Sequence, residues 1–331
     1  ATHAIFPLIA TAAGRRLQLG TGLRSHRRRF GAASGFWLPE YAYEPGLETL
    51  LSEQGIDYFC VDQSAFGEPS DALRPIRAGS ATALPLDWEA IQWLWSLDGY
   101  PSWPGYSDFH RETYRGGRPW TIGGDAYDPG AAARRAREQA GEFALAVAGR
   151  LGEHRARSGE PGLLTFAIDT ELLGHWWWEG PQWLEAALAE LPRHGVRPLK
   201  LAEAVAAHPG AERELQRSSW GESKDLRTWD SPEVSDLAWG ARRLELRLLR
   251  EVGAGRLVER ARLERAAREL LAVQASDWAF LDYRRQAGDY PFQRVLGHSR
   301  ELFEAIESPQ GPEPRLRSLA PDLSVAPLIE P

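Results

Sequence analysis

The sequence predicts an α/β fold that gives way to an all-helical C-terminal region. Three short runs, Phe36–Leu38, Ile56–Val61 and Leu163–Ile168, are apolar and of strand length. Helical patterns alternate with these runs, which argues for a parallel sheet covered on both faces. From about residue 232 only long helical periods remain. With 331 residues the chain has room for one large domain plus a smaller one, or for a single large barrel.

Taken in order, Thr2–Ala10 is a short, mainly apolar stretch, helical or extended. The basic run Arg24–Arg29 reads as a solvated loop or helix face. Phe36–Leu38 is expected to be a buried strand ending at Pro39-Glu40. A helix follows over Pro45–Gln54, with Gly55 as the glycine that closes it. Ile56–Val61 is the next strand, and residues 62–129, rich in Gly, Pro and Trp, read as a long irregular and functional connection. Pro129–Leu151 has a clear helical period, Leu163–Ile168 forms a strand ending at Asp169, and Pro181–Leu191 and Leu201–Ala207 are helices. Three long helices are expected at Pro232–Glu251, Ala254–Gln274 and Tyr290–Ile306. The proline-rich tail Ser308–Pro331 is expected to be irregular and to lie along the barrel.

Composition narrows the function. The hydrophobic fraction is 43% and the charged fraction 26%, both ordinary for a globular protein. A net charge of -7 and a pI near 5.7 argue against nucleic acid as a partner and are compatible with a neutral, hydroxyl-rich one. The only cysteine is Cys60, which excludes an intrachain disulfide and fits a reducing cytoplasm. No apolar run reaches the roughly 20 residues that span a bilayer, so no membrane partner is expected. No signal peptide is recognisable. The absence of methionine suggests that the chain begins inside a longer reading frame. Of 39 basic residues, 37 are arginine and two are lysine, which reflects coding bias. Tryptophan is abundant, at 14 residues. Indoles suit the C–H faces of pyranose rings, and they suit a protein core equally well.

Two acids end apolar runs: Glu40 after Gly35-Phe36-Trp37-Leu38-Pro39, and Asp169 after Leu163–Ile168. The carboxyl ends of barrel strands form the active face, so a carboxylate there is placed for chemistry. Such an acid can also be an N-cap or an ion-pair partner, but here each of the two stands near tryptophan. After Asp169 come Glu171, His175, Trp176, Trp177, Trp178 and Glu179, a concentration that suits the wall of a sugar subsite. Retaining glycoside cleavage needs a nucleophile and an acid/base carboxyl about 5 to 5.5 Å apart, and two strand-end acids can supply them. No cluster of His, Cys or acids has metal-ligand spacing, and no glycine-rich phosphate loop is present. Neither metal nor cofactor is expected.

The stretches Phe36-Trp37-Leu38-Pro39-Glu40-Tyr41-Ala42-Tyr43 and Phe166-Ala167-Ile168-Asp169-Thr170-Glu171-Leu172-Leu173-Gly174-His175-Trp176-Trp177 resemble the two catalytic motifs of glycoside hydrolase family 57, specifically its 1,4-α-glucan branching enzymes. The resemblance implies Glu40 as nucleophile and Asp169 as acid/base. Ala1–Leu8 is similar to an earlier motif whose histidine, here His3, lines the donor subsite. Ser219-Trp220-Gly221, Leu226–Trp229 and Gln274–Trp278 look like elements of the helical C-terminal domain. This implies substrate contacts for Trp220, Trp229, Asp277 and Trp278. Trp37, Trp120, His175 and Trp176 are further substrate-contact candidates, and Tyr100 is a candidate for a mobile loop tip that shields the intermediate.

The fold so implied is an incomplete (β/α)7 barrel, its first strand missing, followed by an α-helical C-terminal domain. The corresponding boundaries are a partial barrel over 1–210, helices over 211–307 and the tail over 308–331. The implied activity is cleavage of α-1,4 bonds in an amylose- or glycogen-like glucan, with transfer to form α-1,6 linkages. The loop Asp98–Tyr106 matches the branching type only in part, and the connection on to Trp120 is shorter. That leaves open an α-amylase or 4-α-glucanotransferase of the same family. A missing first strand would also suit a non-catalytic glucan-binding protein. Weak or no turnover is expected of these 331 residues alone.

Overall fold

The computed structural model describes residues 1–67, 72–308 and 319–330. Its sheet has five strands in the order β1-β2-β4-β3-β5, with β1 Gly35–Trp37, β2 Tyr58–Val61, β3 Ile76–Ala78, β4 Ala81–Pro85 and β5 Ala211–Glu212. β1 and β2 are parallel, with Gly35 opposite Tyr58, Phe36 opposite Phe59 and Trp37 opposite Cys60. Between them runs helix α2, Leu47–Glu53. Gly55, at φ 78°, closes it as expected, since a left-handed residue there costs glycine little. β3 and β4 are joined by Gly79-Ser80 alone, and so short a link forces neighbouring strands to be antiparallel. The sheet is therefore mixed rather than wholly parallel.

Packing divides the chain into two compact units, neither of them continuous in sequence: 1–65, 77–83 and 212–331 in one, 66–76 and 84–211 in the other.

The first unit holds a large helical core. Helix α1, Ala12–Phe30, was not expected. Glycines at 14, 20 and 22 and a run of arginines hide its period, yet Leu17 and Leu19 are fully buried. Thr11 caps it by accepting from the Gly14 N–H at 3.0 Å. The basic run lies in its last turn, where cations suit the helix dipole. Helices α7 (Ser235–Gly253), α8 (Arg260–Val273), α9 (Asp277–Tyr283) and α10 (Tyr290–Glu307) follow α2 in this unit. Leu237, Leu244 and Leu248 of α7, Leu263 and Leu270 of α8, and Val295 and Leu302 of α10 share one cluster with Leu17. Their spacing of four and seven residues is the helical period that made α7, α8 and α10 readable. Residues 254–259 are not helical, and Gly255 at φ 66° starts the turn there.

The tail differs from expectation. Leu323, Val325 and Leu328 are buried in that same cluster, and Ala326–Ile329 forms a helical turn, α11. Asp322 pairs with Arg28 at 2.8 Å and Arg29 at 2.6 Å. The described part of the tail is thus an element of the helical core. The expectation for 309–318 lies outside the described residues.

The second unit is built on α4, Pro129–Ser158, with α3 (Trp88–Trp95), α5 (Gly180–Glu190) and α6 (Leu201–Ala207). Asp128 caps α4 and Gly159, at φ 76°, ends it. Ala132, Ala136 and Ala140 give α4 a flat face. Trp183 of α5 packs 5.1 Å from Phe143 and 5.5 Å from Trp177. Residues 62–129 are more regular than expected, since they contain β3, β4 and α3. Conversely, Leu163–Ile168 is not a ladder-forming strand. It runs extended but makes a single parallel bridge, Leu86 to Thr165. Thr165 is its only fully buried side chain, while Leu164, Phe166 and Ile168 are partly buried against the Trp183 cluster.

Among the described residues, no helix is long and apolar enough to cross a membrane.

Candidate active site

Glu40 sits just past the carboxyl end of β1, in the 3-10 turn Pro39–Tyr41. Pro39 cannot donate to a ladder, so the strand stops there. Glu40 and Tyr41 both take left-handed backbone, at φ 57° and 49°. For residues with a Cβ this costs about 1–3 kcal/mol each, and such conformations persist where surrounding contacts over-determine them.

Those contacts come chiefly from Trp220, 180 residues away in sequence. Its backbone N–H donates to the Glu40 carbonyl at 3.0 Å, and its indole Nε1–H donates to Glu40 Oε2 at 2.7 Å. The indole meets Tyr41 edge-on at 4.6 Å and Trp37 at 6.2 Å, while Trp37 and Tyr41 lie 4.5 Å apart. Tyr41 is wholly buried and Trp37 and Trp220 are half-buried, so the carboxylate stands at the rim of an aromatic cluster. His3 approaches from the other side. Its Nδ1 lies 3.6 Å from Glu40 Oε1, too far for a hydrogen bond but close enough for charge attraction if the ring is protonated. His3 is itself held by Ser276 Oγ at 2.9 Å and by the Ser276 N–H on its carbonyl at 3.2 Å.

The loop that presents Trp220 is tied at both ends. Ser218 and Tyr43 exchange two backbone hydrogen bonds, of 2.9 and 3.1 Å. Ser219 N–H donates to the Lys224 carbonyl at 3.0 Å. Ser223 and Lys224 are left-handed, at φ 57° and 59°. Lys224 Nζ reaches Asp62 Oδ2 at 3.1 Å, and Asp62 Oδ1 accepts from Ser64 N–H and Oγ. Asp62 is 1% exposed and follows β2 as Glu40 follows β1. Because the two strands are parallel, their carboxyl ends open on one edge of the sheet. Sequence reading passed over Asp62, although the signal that marked Glu40, an acid ending an apolar run, marks it too.

Trp229 lies beneath this loop at 2% exposure, and a Cβ added to Gly221 would come within 2.7 Å of its ring. Trp229 thus packs under the loop and also lines an apolar cavity with Ile5, Leu237 and Ala279. Trp278 is half-buried against the helical core and donates from Nε1 to the Ala272 carbonyl at 2.7 Å, with Asp277 exposed beside it.

The second unit carries the other candidates. Asp169 is half-buried at the start of the 3-10 turn Thr170–Leu172. The chain then folds tightly, with Trp177 N–H donating to Leu172 O at 2.9 Å and Trp176 N–H to Glu171 O at 3.1 Å. Gly174, at φ 95°, makes the turn possible. Trp177 is buried, whereas Trp176 and Trp178 are 41% and 52% exposed, so two of the three indoles have faces to offer. Trp176 lies 5.8 Å from Trp95. His175 is exposed, packs edge-on at 4.8 Å to Phe109, and its carbonyl accepts from Arg118 at 2.9 Å. Glu179 is buried, accepting from Tyr127 Oη at 2.7 Å and Ser107 N–H at 3.2 Å, and burial holds its pKa above the usual carboxylate value. Trp120 is exposed at a bridge with Ala126. Tyr100 is partly buried. It lies in the 3-10 turn Tyr100–Ser102, packed on the Trp183 cluster, where burial pushes its hydroxyl up to about 12.

The structure thus gathers His3, Trp37, Glu40 and Trp220 around one carboxylate, and sets Asp169, His175 and Trp176 on one loop of the other unit. Glu40 is a carboxylate at a strand end, held by the Trp220 indole N–H and walled by aromatic rings, an arrangement suited to attack on a sugar carbon.

The chain's sequence matches the family model described as glycosyl hydrolase family 57 over residues 1–92. The model described as 1,4-alpha-glucan branching enzyme, C-terminal, matches over residues 242–326. A 1,4-alpha-glucan branching enzyme of Thermococcus kodakarensis is 33% identical, over 91% of this chain and 52% of that protein. A probable 1,4-alpha-glucan branching enzyme of Mycobacterium tuberculosis is 32% identical, over 92% of this chain and 62% of that one. The chain therefore spans about half to two thirds of these relatives. The crystal structure of a family 57 branching enzyme from Thermococcus kodakaraensis superposes with a TM-score of 0.89, at 30% identity, over 99% of this chain and 71% of that one. The motifs around Glu40 and Asp169, the partial α/β barrel with its helical domain and these likenesses agree: the chain belongs to glycosyl hydrolase family 57.

Proposed function

We propose that the protein is a retaining 1,4-α-glucan branching enzyme, with Glu40 as nucleophile and Asp169 as acid/base. The observation that carries this reading is the Glu40 turn: a strained, strand-end carboxylate fixed by the Trp220 indole inside a wall of Trp37 and Tyr41. Its likeness to named branching enzymes supports the substrate class, an α-1,4-glucan.

In the proposed cycle, a Glu40 oxygen attacks the anomeric carbon while Asp169 protonates the departing glycosidic oxygen, leaving a glucosyl ester on Glu40. Asp169, now ionised, takes the proton of an acceptor C6 hydroxyl, whose oxygen attacks the same carbon and releases the Glu40 carboxylate. One α-1,4 bond is broken and one α-1,6 bond formed with net retention. Transfer wins over hydrolysis when sugar-binding aromatic walls keep water from the ester, a role for Trp37, Trp176 and Trp220. His3 and His175 serve as hydrogen-bonding groups for sugar hydroxyls, and Trp120, Asp277 and Trp278 as outer contacts. An intracellular setting belongs to the same proposal, motivated by the single, buried Cys60.

Incubation with amylose followed by debranching and chain analysis tests the reading. New α-1,6 linkages are expected from the full-length protein, and roughly 10³-fold fewer from its Glu40→Gln variant, since the amide is no nucleophile. Release of reducing sugar without new branches would overturn branching in favour of hydrolysis. Unchanged activity in Glu40→Gln would overturn the site itself.

A further inference from the structure

We infer that Asp62 and Lys224 are a positioning pair that sets the Trp220 indole on the Glu40 carboxylate, and that this pair governs the step in which the glucosyl ester is resolved. The inference rests on the functional reading above and deepens it.

Two strained turns face each other in this part of the first unit. The catalytic turn has Glu40 and Tyr41 left-handed, and the presenting loop has Ser223 and Lys224 left-handed. Strain of this kind does not hold itself, so something must over-determine each turn. For the catalytic turn that is Trp220, through its backbone N–H and its indole N–H. For the presenting loop it is Lys224. Its carbonyl accepts from Ser219, its N–H donates to the Gly221 carbonyl, and its Nζ lies 3.1 Å from Asp62 Oδ2. Residues 219–224 are closed on themselves through Lys224 and anchored to the sheet through Asp62. The anchor is buried: Asp62 lies at the end of β2, its other oxygen engaged by Ser64, beside β1, the strand that leads into the Glu40 turn.

Residue choice agrees. Only two of the 39 basic residues are lysine, and one of them is here. Lysine carries a compact charge on a flexible stem, which suits a contact to a single carboxylate oxygen. The Lys224 side chain is 40% exposed, and its ammonium is held to the buried Asp62 by this ion pair.

The pair acts on one step in particular. When the acceptor oxygen attacks, the C–O bond to Glu40 breaks and its electron pair returns to the carboxylate. The indole N–H on Oε2 then faces growing negative charge and its bond strengthens. An indole displaced by a few tenths of an ångström loses that gain.

The experiment isolates this step. The parent and the variants Asp62→Asn, Lys224→Gln, Trp220→Phe and Lys224→Gln/Trp220→Phe are labelled with 5-fluoro-α-glucosyl fluoride. Mass spectrometry locates the label, and reactivation by a maltooligosaccharide acceptor is timed. Asp62→Asn and Lys224→Gln are expected to reactivate three- to tenfold more slowly, no more than Trp220→Phe itself, with the acceptor concentration for half-maximal rate changed less than threefold. Lys224→Gln is expected to add less than twofold to Trp220→Phe, because both act through the same indole. Reactivation of Lys224→Gln within twofold of the parent, or losses that multiply in the double variant, would overturn the inference. If Asp62→Asn fails to fold, the two Lys224 variants decide alone. A parent that takes no label on Glu40 would instead refute the functional reading itself.

Discussion

Replacing Trp220 with phenylalanine is the most direct probe of the Glu40 geometry. Phenylalanine keeps a ring edge toward Tyr41 and Trp37 and deletes the Nε1–H that donates to Oε2 at 2.7 Å. A hydrogen bond to a charged group is worth about 1.5–3 kcal/mol and one to a neutral group about 0.5–1.5 kcal/mol. The ester form of Glu40 offers a neutral oxygen and the departing carboxylate a charged one. The bond therefore gains on the order of 1–1.5 kcal/mol as the ester is resolved. At about 1.4 kcal/mol per tenfold in rate, its loss slows resolution by roughly three- to tenfold when the transition state holds much of the charge. Ester formation runs the other way, because a carboxylate without its donor is the better nucleophile, so the first step is spared relative to the second. The variant should accumulate glucosyl-enzyme during turnover on amylose, visible by rapid quench and mass spectrometry as a larger fraction of labelled Glu40. Its KM for glucan should move little. A variant with kcat within twofold of the parent and no added intermediate would refute the reasoning, as would a tenfold rise in KM at unchanged kcat.

Three further outcomes follow from the packing. Gly221→Ala would place a Cβ within 3.0 Å of the Trp229 ring and Thr228 Oγ1, so the loop must shift. Thermal or denaturant unfolding should show a loss of about 1–3 kcal/mol, with activity falling further than stability. Asp322 has its pKa lowered from 3.8 to about 2 by hydrogen bonds from Arg29 and then Arg28. A lowered carboxylate pKa means stability present above pH 3.8 and lost as the pH falls toward 2, so Asp322→Asn should flatten that part of the stability profile. Glu179 is the opposite case: burial raises its folded pKa above 4.5, so its ionisation costs stability as pH rises from there. Glu179→Gln, measured by denaturant unfolding, should therefore lose less stability between pH 4.5 and pH 8 than the parent does; an equal loss would count against this.

Much of the site was legible because chemistry at a barrel mouth leaves a local mark. Glu40 and Asp169 each end an apolar run, and that juxtaposition is visible in a few residues. The long helices α4, α7, α8 and α10 were legible for a similar reason, since burial of one face imposes a period. What failed locally did so for identifiable causes. α1 carries three glycines and few apolar residues and is held by the packing of Leu17 and Leu19. Leu163–Ile168 has a strand's composition but only one bridging partner, and pairing is not a property of the run itself. Tyr100 reads as a loop residue until the Trp183 cluster is there to receive it.

By itself, then, the sequence determined the family and the α/β-then-helical order and nominated the two carboxylates, because motifs and periodicity are properties of neighbouring residues. Only the tertiary structure decided that Trp220 holds Glu40, that Trp229 packs beneath the Trp220 loop, that Asp62 and Lys224 meet, and that the described part of the tail belongs to the helical core. Each of these is a contact between residues more than a hundred positions apart or a burial set by surrounding elements, and composition does not encode the closure of loops that long.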